Sequence, residues 1–357
     1  MPVCFHPDSS NAGLQKAAKA AGGDPVEFSS SSSKCLDIAL VNNMPDKALQ
    51  STERQFWSLL DPASDGILVR LSLYALPDVP RADLGRRHVG AFYSSLDSLW
   101  DRDIDGLIVT GTEPRAANLR DEPYWQDMTR LIEWAAENTH SSIWSCLAAH
   151  AAVLHMDGIA RHRLPQKRFG LFEFDRVSEH PLTDGVPSRL VIPHSRWNDL
   201  PEDQLSACGY TLLTRSDEAG ADAFVKEGDS LFVFFQGHPE YNANALLLEY
   251  SRDVGRYLRR ESDAYPPIPR GYFDRETTQA LTALQRRAFS DRREELLGEF
   301  PTVLTTRNLV NTWQSSATGI YGNWLKYLSA RKEQQLSRKE PARHRELPAQ
   351  RRFAAGD

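Results

Sequence analysis

The sequence predicts an α/β fold: a mostly parallel sheet flanked by helices, with a helical C-terminal extension. Three observations carry this. Short apolar runs of strand length recur at 35–41, 67–73, 106–110 and 141–145. Stretches with helical apolar spacing follow the first, third and fourth of them. Strands that alternate with helices are joined by crossovers, so they run parallel with both faces covered. Beyond the Pro-rich stretch 262–275 the pattern is mainly helical.

The elements follow in order. Residues 1–34 are small and polar and end in the run Ser29–Ser33. Such a segment buries too little apolar surface to offset its ordering entropy. It is expected to be a flexible arm, with helical character near Leu14–Ala21. Order is expected from Cys35, where CLDIALV is a buried strand. A Pro-containing loop at 42–46 leads into a helix with Ala48, Phe56, Leu59 and Leu60 on one face. Ile67–Leu73 and Gly106–Thr110 are the next strands. Tyr124–Ala135 is a helix whose apolar face carries Met128, Leu131, Ile132 and Ala135. Ser141–Ser145 is a strand running into an Ala-rich helix that starts at Leu147. Strands near 170–174 and 230–235 have fewer helices between them, which predicts an antiparallel extension. Asn244–Leu258 is a long helix, and 276–297 and 321–329 are helical.

Composition excludes several classes. Hydrophobic residues make up 41% and charged residues 25%, ordinary for a globular chain. The net charge is −6, and it is unevenly placed. Residues 331–357 hold eight Lys/Arg against four Asp/Glu, a net +4, so the preceding 330 residues carry −10. Without a basic field on the body, no nucleic-acid partner is expected. The stretch 331–357 is expected to be a basic disordered tail. Four scattered cysteines with no C-x-x-C pair argue against a disulfide framework and for a reducing, cytoplasmic location. No apolar run approaches the ~20 residues of a membrane span.

Two signals carry chemistry. Cys146 follows a short strand directly and opens a helix. A strand–turn–helix position exposes a side chain above the sheet and aims the helix N-terminus at it. That environment activates a thiol, and the N–H of Leu147 can hold an oxyanion. A lone cysteine there is more often core than nucleophile. The second signal changes the balance. In Gly237-His238-Pro239-Glu240, residues two apart in extended chain share a side, so Glu240 can orient His238 as a base. The histidines 150, 155 and 162 lack zinc-site spacing, so no metal is expected. No Gly-rich phosphate loop occurs. Lys167, Ser195 and Arg252 are isolated polar groups near strand and helix ends.

Cys146 together with Gly237–Glu240 resembles the class I glutamine amidotransferases, whose fold is flavodoxin-like. Longer motifs narrow the resemblance: NNMPDKALQSTERQFWSLL, GLIVTGTEP, PYWQDMTRLIEWA, PHSRWNDL, GHPEYNANALLLEYSRDV and IYGNWLKYL. From about Leu36 to Ser329 the chain is similar to the homoserine O-succinyltransferase family, which uses this fold for acyl transfer in methionine biosynthesis. The resemblance implies one acyltransferase domain over 35–330. It implies Cys146 as the acyl-thioester nucleophile, His238 as general base and Glu240 as its orienting carboxylate. It implies Lys167 and Ser195 in the substrate pocket, and Arg252 on the amino-acid carboxylate. It also implies acyl-CoA as co-substrate, no bound cofactor, and a homodimer.

Two departures keep alternatives open. The family's C-W-[GA]-x-Q-A is here Cys146-Leu147-Ala148-Ala149-His150-Ala151. The position associated with acyl choice, Gly for succinyl or Glu for acetyl, falls on Arg115. An arginine can pair with a succinyl carboxylate, which favours succinyl-CoA; it can equally bind CoA phosphates. Acetyl-CoA as donor and serine as acceptor stay open. So do a glutaminase-type cysteine hydrolase and a non-catalytic relative, at lower weight.

Overall fold

The computed structural model of the chain describes residues 3–5 and 35–339. Twelve strands occur there: β1 (Val3–Phe5), β2 (Cys35–Val41), β3 (Leu68–Tyr74), β4 (Gly106–Val109), β5 (Ser141–Ser145), β6 (His162–Arg176), β7 (Arg189–Asp199), β8 (Thr211–Leu212), β9 (Thr214–Ser216), β10 (Gly220–Ala221), β11 (Ala223–Lys226) and β12 (Leu231–Phe235). The main sheet has the order β1-β3-β2-β4-β5-β12-β11-β8. From β1 to β12 all neighbours are parallel; β11 pairs antiparallel with β12 and β8. A smaller antiparallel sheet, β10-β9-β6-β7, stands beside it. The antiparallel part is thus largely a second sheet, built on two long strands.

The central strands β4, β5 and β12 are buried at every residue. Burial on both faces is what a covered parallel sheet demands, and it explains continuous apolar runs in place of alternation. On one face, Phe56 and Leu60 of α1 (Leu49–Ala63) meet Ile38, Leu40, Ile108 and Ile143. On the other face, Leu107, Val109 and Trp144 meet α3 (Trp125–Asn138), which follows α2 (Asp83–Phe92), and α4 (Leu147–Asp157). The short α5 (Glu202–Ala207) seats Leu205 in the same layer. A third cluster joins α6 (Ala245–Leu258) to α7 (Arg275–Ser290) through Tyr250, Val254, Leu281 and Trp313. The short α8 (Thr302–Arg307) and the 26-residue α9 (Gln314–Lys339) complete the C-terminal part. Helix α9 packs back on the sheet, where buried Trp324 donates its Nε1–H to Ser141 Oγ at 2.9 Å.

Two expected boundaries move. The N-terminal arm supplies β1, which adds to the sheet edge with Cys4 opposite Arg70. Three residues are too few to carry a periodicity. The stretch expected as tail from Arg331 is helical as far as Lys339, where α9 ends. Lys332 reaches Asp105 Oδ2 at 2.7 Å and the Cys35 carbonyl at 2.8 Å, and Arg331 donates to the Asp229 carbonyl. Those first two charges of the basic stretch are therefore sheet contacts. The helix expected near Leu14–Ala21 and the tail beyond Lys339 lie outside the described residues. No described helix is long and apolar enough to cross a membrane.

The sheet order reverses between β2 and β4: the chain runs outward from β2 to β3 on one side and from β4 to β5 on the other. In open parallel sheets the crevice at such a point, beyond the strand C-termini, is where ligands bind. Here that edge carries Asn43, Thr110, Gly111, Cys146 and His238.

Candidate active site

Cys146 closes β5 and opens α4 in a backbone conformation of φ +54° and ψ −112°. A side chain at positive φ costs on the order of 1–3 kcal/mol, and such strain persists where the surroundings hold it. What holds it is a 2.7 Å bond from the Cys146 N–H to the Phe235 carbonyl of β12. The thiol therefore stands above the sheet at the N-terminus of an 11-residue helix. Leu147 is the first residue of that helix, so its N–H has no helical acceptor. Gly111, after β4, packs directly on it: a Cβ there would lie 2.9 Å from the Leu147 nitrogen. Only glycine permits that approach, so the Thr110–Gly111 turn walls the space over the Leu147 N–H.

His238 and Glu240 converge as their spacing predicts. His238 Nδ1 is 2.8 Å from Glu240 Oε1, and both residues are buried. The opposite side of the imidazole faces Cys146, a side-chain hydrogen-bond partner. Tyr241 stacks on the ring, with centroids 4.2 Å apart and planes 13° from parallel. Burial by itself would depress the imidazole pKa. The Glu240 carboxylate and the Cys146 sulfur outweigh it and hold His238 well above its ordinary value. Gly237 is required one residue earlier, because a Cβ there would meet His194 Nε2, Ile192 and Asp222 at 2.7–2.9 Å. Asp222 accepts the Gly237 N–H at 2.7 Å, and burial pushes its own carboxyl up to about 6.

The cleft around Cys146 has a volume of about 870 Å³. Lys167, Ser195 and Arg252 all line it, from β6, β7 and α6. Lys167 Nζ sits 3.0 Å from Asp253 Oδ2 and 3.8 Å from Glu249 Oε2. Arg252 Nε donates to Asp253 Oδ1 at 2.9 Å. Burial would raise the Asp253 carboxyl, but Lys167 and Arg252 overrule it and hold it below its ordinary range. Ser195 Oγ donates to Glu249 Oε2, and Tyr241 OH donates to Glu249 Oε1 at 2.5 Å. Two cations and two carboxylates thus share one wall, a balance that suits a zwitterion.

Arg115 is not on that wall. Its exposed side chain lines a neighbouring cavity of about 1030 Å³, with Lys47, Arg81 and Arg86. Glu122 Oε1 accepts the backbone N–H groups of Arg115 and Ala116 at 2.6 and 2.7 Å, and that loop geometry turns the side chain outward. Glu113, Arg252 and Arg256 line both cavities, and a bidentate Arg256–Glu113 pair at 2.8 and 2.9 Å stands between them. Sequence reasoning missed Glu249, Tyr241, Asp253 and Arg161 in the cleft. For Glu249 a signal existed: three residues before Arg252 on a helix, it shares that residue's face.

The family model for homoserine O-succinyltransferase matches residues 24–335. A homoserine O-succinyltransferase of Rhodopseudomonas palustris is 47% identical over 296 residues, covering 83% of this chain and 89% of that protein. One from Methylorubrum extorquens is 44% identical over 296 residues, covering 83% and 88%. Among solved structures, the chain is similar to a glutamine amidotransferase from Methylobacillus flagellatus at 16% identity and a TM-score of 0.47, covering 82% of this chain and 95% of that one.

Proposed function

The chain belongs to the homoserine O-succinyltransferase family and is an acyltransferase, and from that premise we propose a two-step transfer from succinyl-CoA to the hydroxyl of L-homoserine through a Cys146 thioester. The observation that carries the mechanism is the Cys146–His238–Glu240 row, with the thiol on a helix N-terminus and the imidazole held protonated.

The attacking form is the Cys146 thiolate, beside a His238 imidazolium. The thiolate attacks the thioester carbonyl, and the developing oxyanion lies at the Leu147 N–H. One such donor contributes roughly 3–4 kcal/mol. The carbon–sulfur bond to CoA breaks, and the departing thiolate takes the proton from His238. The acyl-enzyme now faces a neutral imidazole whose Nδ1–H stays on Glu240. Homoserine enters with its carboxylate toward Arg252 and its ammonium toward Glu249. His238 takes the hydroxyl proton as the oxygen attacks the thioester. Cys146 leaves as thiolate, and the starting ion pair is restored. Each half-reaction uses the proton that the other stored, so the cycle is of the ping-pong kind. The basic cavity with Lys47, Arg81, Arg86 and Arg115 suits the phosphates of the CoA carrier.

The test is to incubate the protein with succinyl-CoA alone and analyse the peptide containing Cys146 by mass spectrometry. A succinyl adduct on Cys146, discharged by added homoserine, is expected. Absence of an adduct with every short acyl-CoA would remove the thioester route.

A further inference from the structure

Beside Cys146, one corner of the cleft brings together polar groups that are only partly hydrogen-bonded. Arg161, in the turn between α4 and β6, lines the cleft together with Cys146, Leu147 and His150. Its guanidinium is half-buried, and among the described residues it makes no ion pair. The nearest acid is Glu122, held off beyond ion-pair distance with Oε1 on the loop N–H groups of Arg115 and Ala116. Removing an arginine from water without a counter-charge is costly, which is why such groups are normally paired.

Three further buried polar atoms within electrostatic range of Arg161 also lack a hydrogen-bond partner: Glu122 Oε2, Tyr124 OH and His150 Nδ1. Glu122 is 4% exposed, Tyr124 2% and His150 3%, so bulk solvent scarcely touches them. The state of His150 follows from its neighbour. Gln236 turns its Nε2 to Asp199 Oδ1 and the Ala221 carbonyl, so its Oε1 is an acceptor. His150 Nε2, 3.0 Å from that oxygen, therefore carries the hydrogen. Nδ1 is left as a bare acceptor one helical turn beyond Cys146. Unpaired buried polar groups are rare in folded proteins and call for an explanation. The Arg161 guanidinium, with N–H groups to spare beside Cys146, is what suits this corner to an anion. Bound carboxylate would occupy one edge of the fork, and the acceptors would take the N–H groups that remain.

We infer that Arg161 receives the distal carboxylate of the acyl group carried on Cys146, making it the residue that selects a dicarboxylic monothioester over a simple acyl donor. This rests on the thioester route set out above. It also reassigns the role that sequence position alone suggests for Arg115. The Arg115 loop borders the cleft through Pro114, Ala116 and Ala117, with its backbone clamped by Glu122, while the Arg115 side chain lines the neighbouring cavity.

The experiment measures kcat/KM for succinyl-CoA and for acetyl-CoA, with homoserine saturating, in the wild-type protein, Arg161→Gln and Arg161→Lys. Removing one partner of a buried charge pair costs about 2 kcal/mol or more, so Arg161→Gln is expected to lose roughly 30-fold or more with succinyl-CoA. Acetyl-CoA lacks the distal charge and is expected to be nearly unaffected, which also reports that the variant is folded. Arg161→Lys should recover part of the succinyl-CoA loss. Equal losses with both donors would overturn the assignment, since the CoA moiety is what they share. No loss with either donor would overturn it as well. Failure of wild-type protein to be acylated by any acyl-CoA would overturn the thioester route itself, an outcome distinct from a loss of donor preference.

Discussion

His238 Nδ1 lies 2.8 Å from Glu240 Oε1, with both side chains buried and Cys146 on the far side of the imidazole. The arrangement keeps a proton on His238 at pH values where a free imidazole, at 6.5, has lost it. In the proposed route, acylation of Cys146 needs that proton for the leaving CoA. Its single-turnover rate should therefore be level through 6.5 and fall only as pH rises through the raised value. Glu240→Gln should move this alkaline limb to lower pH and reduce kcat by roughly 10²–10⁴-fold. The same sign governs stability: the ion pair contributes fully below the unfolded imidazole value and is lost as pH passes the folded one. A limb that stays in place in Glu240→Gln would show that another group sets it.

Gly111 and the Leu147 nitrogen approach so closely that a Cβ would sit 2.9 Å away. Gly111→Ala should push the turn off the helix N-terminus and misplace the oxyanion donor. Loss of one such donor costs about 10²–10³ in kcat. The expected signature is that loss in single-turnover acylation with little change in the thermal midpoint. A variant that unfolds early but acylates at the normal rate would assign Gly111 to packing alone.

Glu249 takes hydroxyl bonds from Ser195 and Tyr241 and stands one turn before Arg252. Glu249→Gln should raise the KM for homoserine about 10- to 100-fold, the worth of a hydrogen bond to a charged group. In the proposed route acylation by acyl-CoA precedes amino-acid binding, so its single-turnover rate should be unchanged. Equal effects on both substrates in steady state and on acylation would place Glu249 elsewhere in the cycle. Arg252→Ala should act on homoserine in the same direction through the carboxylate.

Lys332 spans from α9 to Asp105 and the Cys35 carbonyl. Asp105 is 6% exposed, and burial raises its carboxyl pKa against the pull of Lys332. Lys332→Ala leaves that buried carboxylate with the Asp37 N–H as its remaining bond and should cost about 1–3 kcal/mol in denaturant unfolding. Steady-state kinetics below the transition should match wild type. An unchanged midpoint would show the contact to be dispensable.

Much of the fold is legible in the sequence because it is encoded locally. A run such as GLIV is long enough to be a strand, and the spacing of Met128, Leu131, Ile132 and Ala135 is enough to be a helix face. Cys146 and the His238–Glu240 pair are legible for the same reason, since a strand–turn–helix and an i, i+2 relation need only a few residues. Strand β1 was hidden by its length, and α2 by a weakly apolar sequence that buries only Gly85.

The sequence by itself determined the alternating α/β plan, the place of Cys146 at a strand end, and the pairing of His238 with Glu240. Tertiary structure alone decided what surrounds them. Lys167 meets Asp253 across 86 residues of chain, and Ser195 meets Glu249 across 54. Tertiary structure also moved Arg115 into the neighbouring cavity, brought Arg161 into the cleft, and attached Lys332 to the sheet. These outcomes depend on which loops converge at the C-terminal edge of the sheet and on which charges then lose their water. Both are set by strand order and burial, quantities that no local pattern of residues records.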